Sequence, residues 1–331
     1  MAAVSDDGER LLAGPRGRRL LWGLLREHLH GPAWWEAQVD RPAEVAALVV
    51  EATAAVDAVL EEPLTPDRLG GALAGAVDSA WYWQEPDGVD RALAVTVDAL
   101  APLAARVVAS EPAWWAAPCS PQDQWLVEWE GVDAWYAAPP DALVRWRKDT
   151  LDDEVRAAQR PSDVRANWSG HWWSTPCLAG LPSTIRPGPA GPALVEDSLG
   201  WETATCHPVV PVRPPRIREM TCAADWVALV RAHPLDVTRS RRHDWWRTTG
   251  VDGRWLIPDW AAVARDHDAV HLTARAYLEA AGVALPVGGG TYTVLAGWDP
   301  DRTWWLTDLL RPAGVGEPRR WVRTDEGWRP G

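Results

Sequence analysis

Apolar residues recur at helical spacing through roughly the first third of this 331-residue chain and then stop doing so. That switch of period constrains the fold more than any other feature, because a helix-period pattern cannot serve as a sheet face. Leu20, Leu21, Leu24, Leu25 and His28 share one face, with Arg18, Arg19 and Arg26 outside it. Pro42 opens a second helix, where its missing N–H is harmless, and Val45, Leu48, Val49, Ala52, Val56, Val59 and Leu60 form its stripe. Thr65 and Pro66 make an N-cap and first-turn pair for a third helix bearing Leu69, Leu73, Ala76, Ala80 and Trp81. A fourth begins near Asp87, carries Leu93, Leu100, Leu103 and Val107, and is kinked or split by Pro102. Such helices with short loops predict a small bundle.

From Glu111 onward the texture is Pro, Trp and short extended runs. Gln124–Glu130 alternates as a strand, and Asp141 caps a helix to about Gln159 with Leu143, Trp146, Leu151 and Val155 inward. Strands are expected near Ser183–Arg186, Ala193–Glu196, Trp201–His207, Arg216–Met220, Arg254–Ile257 and Ala269–Thr273. Helices are expected at Ala223–Ala232, capped by Thr221, and at Pro258–Asp266 and Ala274–Ala281. Trp260, Val263, His267, Val270, Ala274 and Tyr277 also fit one long helix, but the apolar cluster after Asp268 favours a break there. A closing hairpin is expected between Thr291–Trp298 and Thr303–Thr307 across Asp299–Arg302. The fold expected is α+β: an N-terminal helical bundle, then a mixed α+β domain with a C-terminal β-hairpin. At roughly 100–200 residues per domain the length favours two, divided as residues 1–120 and 121–331.

Phe is absent and Trp occurs 25 times. Tryptophan therefore does what Phe does elsewhere, filling cores with aromatic area, and a minority at best is left to line a ligand groove. The net charge is −13, with −9 in residues 1–120. That argues against nonspecific binding to nucleic acid or to anionic membrane, which both demand a basic face. Lys148 is the single lysine and lies outside any Gly-Lys-Ser/Thr loop, kinase strand or Schiff-base context, so those three classes drop out. Cys119, Cys177, Cys206 and Cys222 have no close spacing. With an acidic N-terminus and no long apolar run, the expectation is a cytoplasmic protein with reduced thiols and no membrane segment. No motif calls for a cofactor or a metal.

Residues 213–247 hold eight Arg against four acids, the one markedly positive stretch. Within it Arg239, Arg241, Arg242 and Arg247 surround His243 and Asp244 beside Trp245 and Trp246. Guanidiniums clamp a phosphate or carboxylate with paired hydrogen bonds, and His243 beside Asp244 has the chemistry of a general acid or base. The competing reading makes the same residues an internal salt-bridge seam or a solvated face. A second grouping is Asp259, Asp266, His267, Asp268 and His271. On one helix His267 and His271 would stand a turn apart, a two-histidine metal spacing, but Asp268 stands where the zincin pattern needs Glu. With His271 on a strand the pair separates, and a structural role follows. His233, His243, Asp244 and Asp268 echo the ligand order of metal phosphohydrolases only loosely.

Several stretches resemble a group of uncharacterised actinobacterial proteins. They are Asn167–Pro176, Arg241–Trp245, Ile257–Trp260, Asp268–Thr273 and Gly297–Asp301. The resemblance covers roughly the C-terminal half and implies a family fold, with no activity or catalytic residue attached. Two functions are expected. The first is a binding or regulatory protein of adaptor or immunity type, whose acidic half meets a protein partner. The second is a transferase or hydrolase acting on an anionic, phosphate-bearing small molecule. In it the arginine cluster holds the substrate, His243 exchanges a proton, and Asp244 or Asp268 orients it, with His271 in reserve.

Overall fold

Capping side chains mark the start of α-helices at Thr65, Asp87, Asp259 and Thr273. In the computed structural model the described residues are 6–28, 42–130, 139–188, 190–196, 201–314, 316–325 and 327–331, so Trp34 and Trp35 lie outside them. The helical stretch forms α1 (Asp6–Ala13), α2 (Pro15–Leu25), α3 (Pro42–Glu61), α4 (Pro66–Asp78), α5 (Gly88–Val95) and α6 (Val97–Ser110). The Thr65 side chain accepts from the Arg68 N–H at 3.3 Å and Asp87 accepts from Asp90 N–H at 2.9 Å, giving α4 and α5 sharp starts. The expected fourth helix is two helices bent by 89°, and the break falls at Thr96, not at Pro102. Thr96 donates its hydroxyl to the Ala92 carbonyl at 3.1 Å, competing with the backbone ladder and ending α5. Trp81 lies beyond the end of α4 and is 47% exposed, so it leaves the apolar face assigned to it.

The second part opens with β1 (Gln124–Trp129), α7 (Ala142–Arg156), β2 (Ser183–Ile185), α8 (Ala190–Ala193), β3 (Thr203–Pro211) and β4 (Ile217–Met220). It continues through α9 (Ala223–Ala232), β5 (Pro234–Asp236), α10 (Thr238–Thr249), β6 (Arg254–Pro258), α11 (Trp260–Asp266), β7 (Ala269–Leu272) and α12 (Ala274–Ala280). It closes with β8 (Leu285–Gly288), β9 (Thr291–Thr293), β10 (Arg302–Trp305), β11 (Leu310–Pro312), β12 (Arg319–Thr324) and β13 (Gly327–Pro330). The large sheet has the order β13-β12-β3-β1-β2-β10-β7-β4, with β11 also on β3; β5-β6-β9-β8 form a smaller one. Pairing is antiparallel except for β4 with β7 and β6 with β9. The fold is α+β, helices first, and it ends on the hairpin β12–β13.

Further expectations change, two of them caps: Asp141 makes no side-chain cap on α7, and α9 starts after Cys222, with Thr221 bonding Asp225 instead. The hairpin across Asp299–Arg302 does not form: β9 pairs with β8 and β6, while β10 is flanked on both edges by β2 and β7. Ala296 bonds instead to Ser174 in both directions, at 2.9 and 3.1 Å. Residues 193–196 are no strand, since α8 occupies their start. The arginine-rich run is a helix, α10, which carries little apolar periodicity for the eye to follow. Val155 is 70% exposed, off the core face of α7.

One apolar core runs through both halves of the chain. It joins Leu20, Leu24, Leu73 and Tyr82 to Tyr277 and Leu278 on α12 and to Trp226, Trp260 and Trp298. Building it from Trp leaves ring N–H groups to satisfy. Among the described residues some of the large indoles find acceptors, while Trp115 and Trp255 are buried without one. Trp226 donates to Thr293 Oγ1 at 3.1 Å, Trp260 to the Ser174 carbonyl at 3.0 Å and Trp298 to the Arg302 carbonyl at 3.1 Å. Phe could make none of these three bonds, which tie Trp226 to β9 and Trp260 and Trp298 to the backbone of loop and strand. Among the described residues no single helix is long and apolar enough to cross a membrane.

Candidate functional site

Helix α10 begins on a carboxylate from another helix. Glu154 of α7 accepts from the backbone N–H groups of Arg239 and Ser240 at 2.7 and 2.9 Å. Those donors have no partner within a helix, and a negative charge there suits the helix dipole. Gly250, at φ 73°, closes the other end with its N–H on the Trp246 carbonyl at 2.7 Å.

The side chains of α10 then point mostly inward. Arg241 is buried, its Nε donating to the Trp173 carbonyl at 3.4 Å and its Nη1 lying 3.6 Å from Asp153 Oδ2. Burial pulls its pKa down to about 10, against the raising pull of Asp153, Glu154 and Asp244, so it stays charged at neutral pH. Asp153 also holds Arg160 at 2.7 Å. Arg242 donates to the Arg160 carbonyl at 3.0 Å. Arg247 donates to the Trp83 and Trp168 carbonyls at 2.9 and 2.7 Å and to Asp244. Trp245 is fully buried with its N–H on the Trp172 carbonyl at 2.9 Å. Only Arg239 among the four arginines is exposed.

His243 and Asp244 part company, as neighbours on a helix point about 100° apart. His243 Nε2 donates to the Pro161 carbonyl at 3.1 Å, which leaves Nδ1 buried and without a partner. Burial and the charge of Arg242 lower its pKa, so the ring is neutral at pH 7. Asp244 accepts from Ser169 Oγ at 2.8 Å and Gly170 N–H at 3.0 Å. The arginine cluster and the His-Asp pair are therefore brought together, but around the segment 160–173 and not around an open cavity.

Asp268 stands elsewhere, at the start of β7. Arg213 meets it at 2.9 and 3.0 Å, and Arg216 adds its backbone N–H at 2.9 Å. Burial would raise this carboxyl, but the bonds from Arg213 and Arg216 outweigh that and hold it well below the usual carboxylate range. It clamps the loop between β3 and β4.

His271 is buried on β7 between two carboxylates. Its Nδ1 lies 2.7 Å from Glu219 Oε2 and its Nε2 lies 3.2 Å from Asp301 Oδ1. Arg186 meets Asp301 in turn at 3.0 and 3.2 Å. Strand register supplies the geometry, since Glu219 on β4 and Thr303 on β10 are the Cα partners of His271. Burial alone would lower the histidine pKa; the bonds to Asp301 and Glu219 outweigh it and raise it. In its protonated form the ring has an acceptor on each nitrogen and donates twice, tying β4 and β7 to Asp301. Beside it, Cys119 gives its N–H to Glu219 at 3.0 Å and takes the Thr303 hydroxyl at 3.4 Å, and burial pushes its thiol up to about 12. Sequence reasoning missed Glu219, Asp301, Arg186 and Cys119 here, because only register brings together residues so far apart in the chain.

A third polar centre was also missed. Tyr82 donates to Glu196, whose N–H meets Asp299 Oδ1 at 2.9 Å, and Asp299 Oδ2 is 2.7 Å from Arg302 Nε. Burial and the neighbouring Asp299 push the Glu196 carboxyl up to about 8. Tyr82 borders a cleft of 350 Å³ in which Arg16, Arg18 and Arg91 are opposed by Asp87 and Asp90. Its charge is mixed, and Arg19 and Arg16 already engage those two acids.

His267 ends α11 while His271 is on β7, so the two-histidine pair does not form. His233 lies 3.5 Å from Asp266, away from His243 and Asp268. Among the described residues no three His, Cys, Asp or Glu side chains are grouped as metal ligands. Comparisons with protein-family models, with curated proteins and with solved structures find no match to this chain.

Proposed function

We propose that the chain is a binding or regulatory protein of adaptor or immunity type, acting in the cytoplasm, whose acidic helical half meets a basic protein partner. One observation carries this reading: three of the four candidate arginines are spent on internal partners, while five carboxylates of the helical half are exposed and, among the described residues, unmatched. Arg241, Arg242 and Arg247 end on internal acceptors. Asp57, Glu61, Asp67, Glu85 and Asp98 are exposed on α3 to α6 and their flanking loops, and among the described residues no cation pairs with any of them. Unmatched surface carboxylates create a field that steers and selects a basic partner. The alternative, a transferase or hydrolase with a phosphate held by Arg239–Arg247 and His243 as acid or base, has weaker support, because all of those side chains but Arg239 face protein. Two of the stretches behind the actinobacterial resemblance, residues 167–176 and 241–245, form the two sides of this seam. That favours a shared fold over a shared chemistry.

Affinity capture from a lysate of the source cells tests the proposal. A stoichiometric basic protein should be retained at low salt and released as rising ionic strength screens surface charge. A variant with Asp57→Asn, Glu61→Gln, Asp67→Asn, Glu85→Gln and Asp98→Asn should melt like the parent and lose that partner. Equal retention by the variant contradicts the reading.

A further inference from the structure

Two arginines on the outside of the molecule stand apart from the seam. A cleft of 290 Å³ lies between α4, Arg26 after α2, and the terminal hairpin. One wall is aromatic: Trp129 stacks on Trp201 with ring centroids 4.6 Å apart at 16°, and Trp328 meets Trp129 edge-on at 5.7 Å and 66°. Trp129 is buried, whereas Trp201 and Trp328 are half-buried and carry the accessible ring surface. The opposite side is the face of α4 with Gly71, Ala74 and Gly75, where an added Cβ on either glycine would meet only open space. Arg26 and Arg323 line the same cleft, both exposed, and among the described residues neither has a carboxylate or a ring to pair with. Elsewhere Arg319 rests on Trp125 at 5.3 Å and Arg165 on Trp246 at 5.5 Å.

We propose that this cleft binds a phosphate-bearing ring, a sugar phosphate or a mononucleotide, with the ring against Trp201 and Trp328 and the phosphate held by Arg26 and Arg323. Indoles stack on sugar and base faces alike, and guanidiniums pair with phosphate oxygens. Asp78 also lines the cleft, which disfavours a polyanion and suits a ligand with hydroxyl groups beside a single anionic group. This is the ligand class that the sequence placed on α10, carried by other residues, and it stands or falls independently of the protein-partner reading.

Calorimetric titration of the full chain with glucose 6-phosphate, AMP, methyl glucoside, adenosine and inorganic phosphate tests it. One phosphate-bearing ring should bind at least about tenfold more tightly than its unphosphorylated ring and than phosphate alone. Which of the two wins identifies the source. Arg323→Gln and Trp328→Ala should each weaken that binding by about tenfold or more. Arg323 is exposed, so its variant tests the site even if Trp328→Ala folds poorly. Absence of binding by both phosphorylated probes at millimolar concentration, or binding unchanged in Arg323→Gln, overturns the proposal.

Discussion

Cysteine reactivity reads out the residue scale directly. Cys119 and Cys206 are buried, and burial pushes each thiol up to about 12. Cys177 and Cys222 are half-buried. A thiol reagent at pH 8 should therefore modify Cys177 and Cys222 in the native protein and reach the other pair only on unfolding, because the thiolate is the nucleophile. Rapid modification of Cys119 would contradict the packing around Thr303. His271 supplies a pH signature with a definite sign. Its folded pKa is raised above the ordinary value of about 6.5. The stabilisation it gives is thus complete below that value and fades as pH rises through the raised one. Urea unfolding of the parent and of His271→Gln from pH 5.5 to 9 should show a stability gap that narrows with rising pH. A gap that widens would mean the ring is neutral in the fold. Neither prediction was legible in the sequence, where Glu219, Asp301 and Thr303 lie far along the chain from Cys119 and, for the two acids, far from His271.

At the scale of elements, part of what the chain announces locally is kept, although Asp141 and Thr221 make no side-chain cap on α7 and α9. Thr65-Pro66, Asp87 and Thr273 start helices by accepting an N–H three residues on, a device contained within four residues. The break at residues 266–268 is real, and His271 lands on β7. What failed depends on distant partners: β10 is claimed by β2 and β7, so its apparent hairpin mate at residues 294–298 turns to Ser174. Helix α10 was unreadable for a related reason. Its inward face is charged, and those charges are satisfied by α7 and the segment 160–173, which no local pattern reveals. Asp244 is the tie between α10 and Ser169 and Gly170. Asp244→Ala should remove it and speed amide hydrogen exchange around residues 168–170, while leaving exchange in α4 unchanged. Protection there that survives the substitution would show that other contacts hold the loop.

The whole molecule combines one apolar core spanning both halves with a division of charge. Cations of α10 tie the interior together, and Asp57, Glu61, Asp67, Glu85 and Asp98 of the helical half face out. The seam is also where the sequence left two readings that used the same residues, and burial favours the internal one: a clamp for an incoming anion needs open guanidiniums, and Arg241 is 3% exposed. Removing one partner of a buried ion pair is strongly destabilising, by about 3–5 kcal/mol. Arg160 remains to neutralise Asp153, which places the expected loss toward the lower end. The melting temperature of Arg241→Ala combined with Arg242→Ala is the most direct measurement. The internal seam predicts a fall of roughly 5–10 °C relative to the parent, with phosphate-bearing ligands of the remote Trp328 cleft still bound. An unchanged melting temperature would contradict the seam and return these arginines to the surface as a binding site.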